Sequence, residues 1–237
     1  MVEIKSLEKS YGKLKALRGV DLSISKGRLT AILGPNASGK TTIIKSILGL
    51  VIPDSGKIFV HGNPVRGNWS YRNSITYMPQ IARFPENLTI TEVVNMLKDI
   101  RGSNDSADVL LDMFELQPAI KQPLRNLSGG TRQKVNAVLA LMFDAPLLIM
   151  DEPTSGLDPV SLIKLKELIV KERAKGRTIL MTTHITGLVE ELADEIVFLL
   201  EGKIYFKGGL RQLRESNNEE SVERAIAKMM SGSRSNV

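Results

Sequence analysis

There is no cysteine among the 237 residues. That absence excludes disulfide staples and fits a reducing compartment. Long apolar runs are missing too: none approaches the roughly 18–20 residues that a membrane-spanning helix needs, and the opening segment Met1–Ser6 has no apolar signal core. Any tie to a membrane is therefore expected to run through a partner or through the surface. There is no internal repeat, and no linker long enough to split the chain into independent domains. With 42% apolar and 24% charged residues, the composition fits neither a disordered nor a fibrous class. Lysine and arginine number 32 against 26 acidic residues. The resulting balance of +6 favours nucleotides, nucleic acid or anionic headgroups without choosing among them.

What the sequence does contain is Gly34-Pro35-Asn36-Ala37-Ser38-Gly39-Lys40-Thr41-Thr42. It lies between the apolar run Leu29 to Leu33 and a stretch in which Ile43, Ile44, Ile47 and Leu48 recur at helical spacing. A GxxxxGKT loop in a strand-to-helix setting is a phosphate cradle. Gly34 and Gly39 let the backbone curl until amide N–H groups point inward, and the helix start adds its positive dipole end. Lys40 is placed for the β- and γ-phosphates, and the Thr41 hydroxyl for the Mg²⁺ they carry. ATP with Mg²⁺ is the expected ligand pair. A plain glycine-rich turn would account for the glycines but not for the full spacing with both flanks.

The rhythm of the chain gives the architecture. Val20, Leu22 and Ile24 alternate with polar residues, reading as a half-buried strand that turns at Lys26-Gly27 into the run before the loop. The beginning is thus expected to be antiparallel sheet. Short strands are expected around Lys57–Val60 and Ser74–Met78. From about Ile81 to Leu124 strand signals vanish, while Val93, Met96, Leu97 and Ile100 fall on one helical face and a second helical stretch follows from about Ser106 to Leu116. The fully apolar runs LLIM (147–150), TILM (178–181) and IVFLL (196–200) suit parallel strands buried on both faces. A hairpin at Glu201-Gly202, short helices around Leu210–Arg214 and Val222–Met230, and a frayed end from Ser231 complete the reading. The expected fold is α/β: a P-loop core with a parallel sheet, an N-terminal antiparallel β subdomain and an inserted α-helical subdomain at about 81–144. It occupies residues 1–215, and 216–237 form a tail.

Two further segments carry chemistry. In Leu147–Pro153 an apolar strand ends in Asp151 and Glu152, over the crevice where parallel sheets bind ligands. Asp151 can reach the Mg²⁺ region, and Glu152 can orient or deprotonate the water that attacks the γ-phosphorus. Alone, Asp-Glu-Pro is also ordinary turn chemistry. In Leu127–Lys134 a serine and two glycines precede a helix whose Val135, Val138, Leu139, Met142 and Phe143 share a face. Ser128, Gly129 and Gly130 form a second anion nest or, more plainly, an N-cap with a flexible turn. Two nests with one lysine-bearing loop suggest two copies of the chain sharing two ATP molecules.

LSGG followed by DEP at this spacing, downstream of the phosphate loop, resembles the nucleotide-binding subunit of ABC transporters over about residues 2–214. The resemblance implies a Mg²⁺-dependent ATPase yielding ADP and phosphate. It also implies a head-to-tail homodimer in which Ser128 and Gly130, with Gly129 between them, contact the γ-phosphate held by Gly39, Lys40 and Thr41 of the other copy. Tyr11 then matches the aromatic that stacks on adenine, and Gln80 the residue that senses Mg²⁺ and the attacking water at the start of the loop facing the membrane partner. Asp158 matches the loop crossing the dimer interface, though Asp158-Pro159 also reads as a helix N-cap followed by proline. His184 matches the histidine bonded to the γ-phosphate. His61 matches nothing and reads as a surface turn residue. One departure stands out: Thr131 occupies the position where the family pattern has glutamine.

The implied partner is an integral membrane permease, with the surface around Phe84–Thr89 as its docking site. The chain is then expected on the cytoplasmic face of the cell membrane, held there by that partner, with no nucleic acid bound. A soluble ABC-type ATPase working on ribosomes or chromosomes is the alternative. Against it stand the single nucleotide domain and the lack of a long coiled coil between phosphate loop and LSGG. An ATP-binding regulatory module without turnover is a third class, opposed by Glu152 and His184. Within the family, DEPTSGLDP and the short tail are similar to ABC-2 type exporters. More narrowly, they are similar to the ATPase of the transporter for copper-site maturation of nitrous oxide reductase.

Overall fold

The computed structural model describes residues 1–102 and 107–234. Chain order is β1 (Val2–Tyr11), β2 (Leu14–Ile24), β3 (Leu29–Leu33), α1 (Lys40–Ile47), β4 (Ser55–Val60), β5 (Asn63–Pro64), β6 (Ile75–Met78), α2 (Ile90–Arg101), α3 (Ala107–Met113) and α4 (Gly129–Leu141). It continues with β7 (Leu147–Asp151), α5 (Pro159–Ala174), β8 (Thr178–Thr183), α6 (Thr186–Leu192), β9 (Glu195–Leu200), β10 (Lys203–Gly208), α7 (Leu210–Asn217) and α8 (Val222–Arg234).

The apolar runs build a sheet of order β10-β9-β3-β8-β7-β6, parallel throughout except for the antiparallel edge strand β10. Because side chains alternate along a strand, each run feeds two cores. Leu148, Met150, Ile179, Met181, Ile196 and Phe198 join the core under α4, α5 and α6. Leu147, Ile149, Leu180, Val197 and Leu199 join the other, which α1 and the antiparallel sheet close with Ile43, Ile44, Ile47, Val2, Ile4 and Leu22. Burial on both faces is the reason these runs carry no polar alternation.

The antiparallel sheet has the order β2-β1-β4-β5. The structure corrects one pairing here. β2 pairs with β1, Val2 opposite Ile24, whereas β3 pairs in parallel with β8 and β9. The turn at Lys26-Gly27 carries the chain from one sheet into the other.

Helix starts follow local chemistry. Thr89 and Glu92 form a reciprocal capping box at α2, Ser128 caps α4, and Asp158 caps α5 with Pro159 in the first helical position. The buried face of α2 differs from the expected one: Ile90, Val93 and Val94 are covered, while Ile100 is 71% exposed and Met96 partly so. An apolar flank of α2 is thus left facing a groove. The expected start of α3 at Ser106 lies outside the described residues. α8 runs helically to Arg234 where fraying was expected, and the last three residues lie outside the described ones. His61 sits in a turn with φ 51°, as expected.

Candidate active site

Three strands of the parallel sheet, β3, β7 and β8, end side by side, so the loops after them converge. The loop after β3 runs from Gly34 to Gly39 and wraps the ammonium of Lys40, the first residue of α1. Lys40 Nζ donates to the carbonyls of Gly34 at 2.8 Å and Pro35 at 3.1 Å, and lies 3.5 Å from Glu152 Oε1. Gly39 has φ 110°, and a Cβ there would meet the Ala16 carbonyl at 2.7 Å. Gly34 is needed for a different reason from the expected curl. Its backbone lies so close to β9 that a Cβ would fall 2.1 Å from the Leu199 carbonyl. The β9–β10 turn braces the same loop, with Gly202 N–H donating to the Ser38 carbonyl at 3.0 Å and Gly202 O accepting from Arg18 N–H at 2.9 Å.

β7 ends in Asp151 and Glu152 follows it, both buried. Thr182, at the end of β8, organises the pair. Its hydroxyl donates to Asp151 Oδ1, while the Glu152 N–H reaches the Thr182 carbonyl at 3.1 Å and hydroxyl at 3.2 Å. Glu152 has φ 49°, the left-handed conformation that non-glycine residues adopt mainly where the surroundings enforce it. Its Oε2 lies 2.9 Å from Nδ1 of His184, which follows β8 and is exposed. Tyr77 lies within the field of Asp151. Burial first, and that negative charge second, push its hydroxyl far above the usual tyrosine range.

A cleft of about 360 Å³ is lined by Asn36, Ala37, Ser38, Gly39, Lys40, Thr41, Thr42, Gln80 and Glu152, with Tyr11, Leu14 and Ala16 at one side. Tyr11 is 47% and Leu14 60% exposed. These residues of β1 and β2 make an apolar shelf beside the phosphate loop, and Lys9 Nζ stands 5.5 Å from the Tyr11 ring centre. Gly34 and Pro35 close the loop through their carbonyls, and Asp151 stands behind it. Ser38 Oγ is buried in the cleft wall with no hydrogen-bond partner. A buried hydroxyl without a partner costs on the order of 1–3 kcal/mol, which a polar ligand would remove. Of the three expected metal-side residues, Thr41 and Gln80 line the cleft, whereas Asp151 does not and is buried against Thr182; each carries a hard oxygen. Among the described residues no group of three or more His, Cys, Asp or Glu could hold a metal ion alone. Hard oxygen donors are the kind that Mg²⁺ takes, an ion that keeps few protein ligands and binds with substrate phosphates.

Ser128, Gly129, Gly130 and Asp158 do not line this cleft. Ser128 Oγ caps α4 by accepting from Thr131 N–H at 3.1 Å. Gly130 packs against the loop after Glu152, where a Cβ would meet the Gly156 carbonyl at 3.1 Å. Asp158 caps α5 through Ser161 N–H at 2.9 Å and pairs with Lys134 Nζ at 2.9 Å. Sequence reasoning missed Thr182, Leu14, Ala16 and the bracing Gly202. The polar Thr182-Thr183 directly after Ile179, Leu180 and Met181 was the one available signal.

A lysine held inside a glycine-bounded strand-to-helix loop, with two carboxylates at the next strand end but one, defines the chain as a P-loop nucleoside triphosphatase. A profile of the ABC transporter family matches residues 17–155, more than half of it. The chain belongs to the ABC transporter family and is one of its ATP-binding, ATP-hydrolysing members. It is similar to the lantibiotic transport ATP-binding protein SrtF of Streptococcus pyogenes, 35% identical over 229 residues that cover 94% of each chain. The xylose/arabinose import ATP-binding protein XylG of Sulfolobus acidocaldarius is 34% identical, covering 94% of this chain and 92% of its own. A solved ATP-binding subunit of an ABC transporter superposes with a TM-score of 0.90 at 31% identity, covering 97% of this chain and 99% of that one. The ATP-binding cassette MJ0796, solved as a dimer in a post-hydrolysis state with ADP and phosphate, gives 0.80 at 26% identity over 89% and 99%.

Proposed function

We propose that this chain is the ATP-hydrolysing subunit of a transporter whose membrane-spanning part is a separate protein, and that two copies close head to tail around two ATP molecules. The observation that carries the reading is the meeting of Lys40, Glu152 and His184 at one end of a cleft walled by the phosphate loop. Tyr11 stacks on adenine at the apolar shelf, while the amides from Gly34 to Thr42 cradle the phosphates. Lys40 exchanges the carbonyls of Gly34 and Pro35 for phosphate oxygens. Thr41, Gln80 and Asp151 would hold Mg²⁺, which when bound neutralises charge on the phosphates. Glu152 takes the proton of the attacking water, and His184 holds the Glu152 carboxylate in place and faces the γ-phosphate. Ser128, Gly129, Gly130 and Asp158 serve the partner's nucleotide, in keeping with their absence from the wall of their own cleft.

The permease docks, on this reading, in the groove that the apolar flank of α2 leaves open. The groove measures about 450 Å³ and includes Tyr77, Phe84, Met96, Leu97 and Phe143. Arg72, Arg83 and Arg101 also line it, and among the described residues no acidic one does. The permease segment is therefore apolar with an acidic side chain. No helix among the described residues is long and apolar enough to cross a membrane. On this reading the chain sits at the cytoplasmic face through its permease partner, with no nucleic acid bound.

The cargo is left to the permease. Copper-site maturation of nitrous oxide reductase is a narrower form of the proposal, resting on general likeness alone. Relatives named for lantibiotic transport, Nod factor export and sugar import lend it no support.

The test is to tag the Glu152→Gln chain in its own cells, solubilise membranes with ATP and Mg²⁺ present, and identify what co-purifies. Recovery of a polytopic membrane protein, lost when Phe84 and Leu97 are changed to Asp, supports the reading. Ribosomal or DNA-associated proteins with an empty membrane fraction overturn it.

A further inference from the structure

The departure at Thr131 has a geometric consequence. Ser128 is the N-cap of α4 and Thr131 its third helical residue. Ser128 Oγ accepts from the Thr131 N–H at 3.1 Å and lies 2.8 Å from Thr131 Oγ1. A serine hydroxyl has two acceptor sites and one proton. The Thr131 amide fills the first acceptor site. If the Thr131 hydroxyl donates into the second, the serine has nothing left to offer except its own proton, which must point away from the helix. In the opposite arrangement Ser128 spends its proton on Thr131 and turns a lone pair outward, which would repel a phosphate oxygen. An approaching anion selects the first arrangement, and the chain Thr131 O–H to Ser128 O–H to phosphate oxygen is polarised along its length.

We propose that Thr131 is a positioning residue that commits exposed Ser128 to donating its proton to the γ-phosphate held by a second copy of this chain. The inference rests on the sandwich dimer proposed above. Glutamine, which the family pattern has at this position, acts differently there. A glutamine there has no hydroxyl to pair with Ser128 Oγ, and its amide has the length to reach the N-cap backbone N–H instead. Thr131 instead fixes that proton at the cost of the longer side chain's reach. It touches no reacting atom itself.

The experiment compares Thr131→Val, which keeps the shape and removes the hydroxyl, with Thr131→Ser, which keeps the hydroxyl. Phosphate release gives kcat and KM, and the Glu152→Gln background gives ATP-driven dimerisation. Nucleotide affinity of the dilute monomer and Tm serve as controls. Thr131→Val is expected to lower kcat and the dimerisation constant about tenfold, the scale of a hydrogen bond to a charged acceptor. Monomer affinity stays unchanged, and Thr131→Ser stays within about twofold of the parent. On a Ser128→Ala background Thr131→Val should add nothing, whereas a purely structural role would add its own loss and overturn the proposal. If Ser128→Ala is itself without effect, the sandwich reading falls and takes this inference with it. If Ser128→Ala is disabling while Thr131→Val matches the parent, only the inference falls.

Discussion

His184 Nδ1 lies 2.9 Å from Glu152 Oε2, while Oε1 of the same carboxylate lies 3.5 Å from the ammonium of Lys40. One buried carboxylate thus ties the phosphate loop to the end of β8. Removing its charge should spare the loop and damage the chemistry. Glu152→Gln is expected to bind ATP at least as tightly as the parent and to lose about 10²–10⁴ in kcat, the usual scale for a general base. Phosphate release and equilibrium nucleotide binding on the same sample check both halves.

Helix α4 anchors both flanks of the site. Asn136 Nδ2 donates to the Pro79 carbonyl at 2.7 Å, one residue before Gln80, and to Gln133 Oε1 at 3.2 Å. Gln133 Nε2 donates to the Pro153 carbonyl at 3.2 Å, one residue after Glu152. Asn136→Leu keeps the branched shape but strips buried acceptors of their donor. It should cost about 1–3 kcal/mol in chemical denaturation and lower kcat more than it changes nucleotide affinity.

Gly34→Ala should be among the most damaging single methyl additions in the chain. Its Cβ would lie 2.1 Å from the Leu199 carbonyl, a backbone atom that cannot swing aside. A loss of at least about 1–3 kcal/mol is expected, together with loss of ATP binding, read by thermal unfolding and nucleotide titration.

The pH dependence of stability should show Asp158. The backbone N–H of Ser161 first, and Lys134 second, hold its carboxyl well below the usual carboxylate range. A group with a depressed folded pKa stabilises fully above its unfolded value, about 3.9 for aspartate, and loses that contribution as pH falls toward the folded value. Asp158→Asn retains a competent N-cap, so the charge alone is removed. Denaturation midpoints should place the variant below the parent at neutral pH, with the gap closing in acid. A gap independent of pH would contradict the assignment.

Much of this was legible because the signals are local. The phosphate loop, the doubly buried strands and the caps at Ser128 and Asp158 depend on neighbours a few residues away. What was hidden depends on distant partners. β3 could pair with β2 by proximity, and only the burial of both its faces, seen in the folded chain, sends it between β8 and β9 instead. Thr182 is 31 residues from the Asp151 it bonds, and Gly34 needs its lack of a side chain because of Leu199, far along the sequence. The helical pattern of α2 was read correctly, but periodicity could not say that Ile100 would stay uncovered.

Two copies of this chain are expected to close on ATP. Sedimentation of the Glu152→Gln form tests it most directly, without nucleotide, with Mg²⁺-ATP, and with Mg²⁺-ATP after Ser128→Ala. A monomer is expected in the first case, a dimer in the second and a monomer again in the third. A chain that binds ATP to saturation and still sediments as a monomer would contradict it.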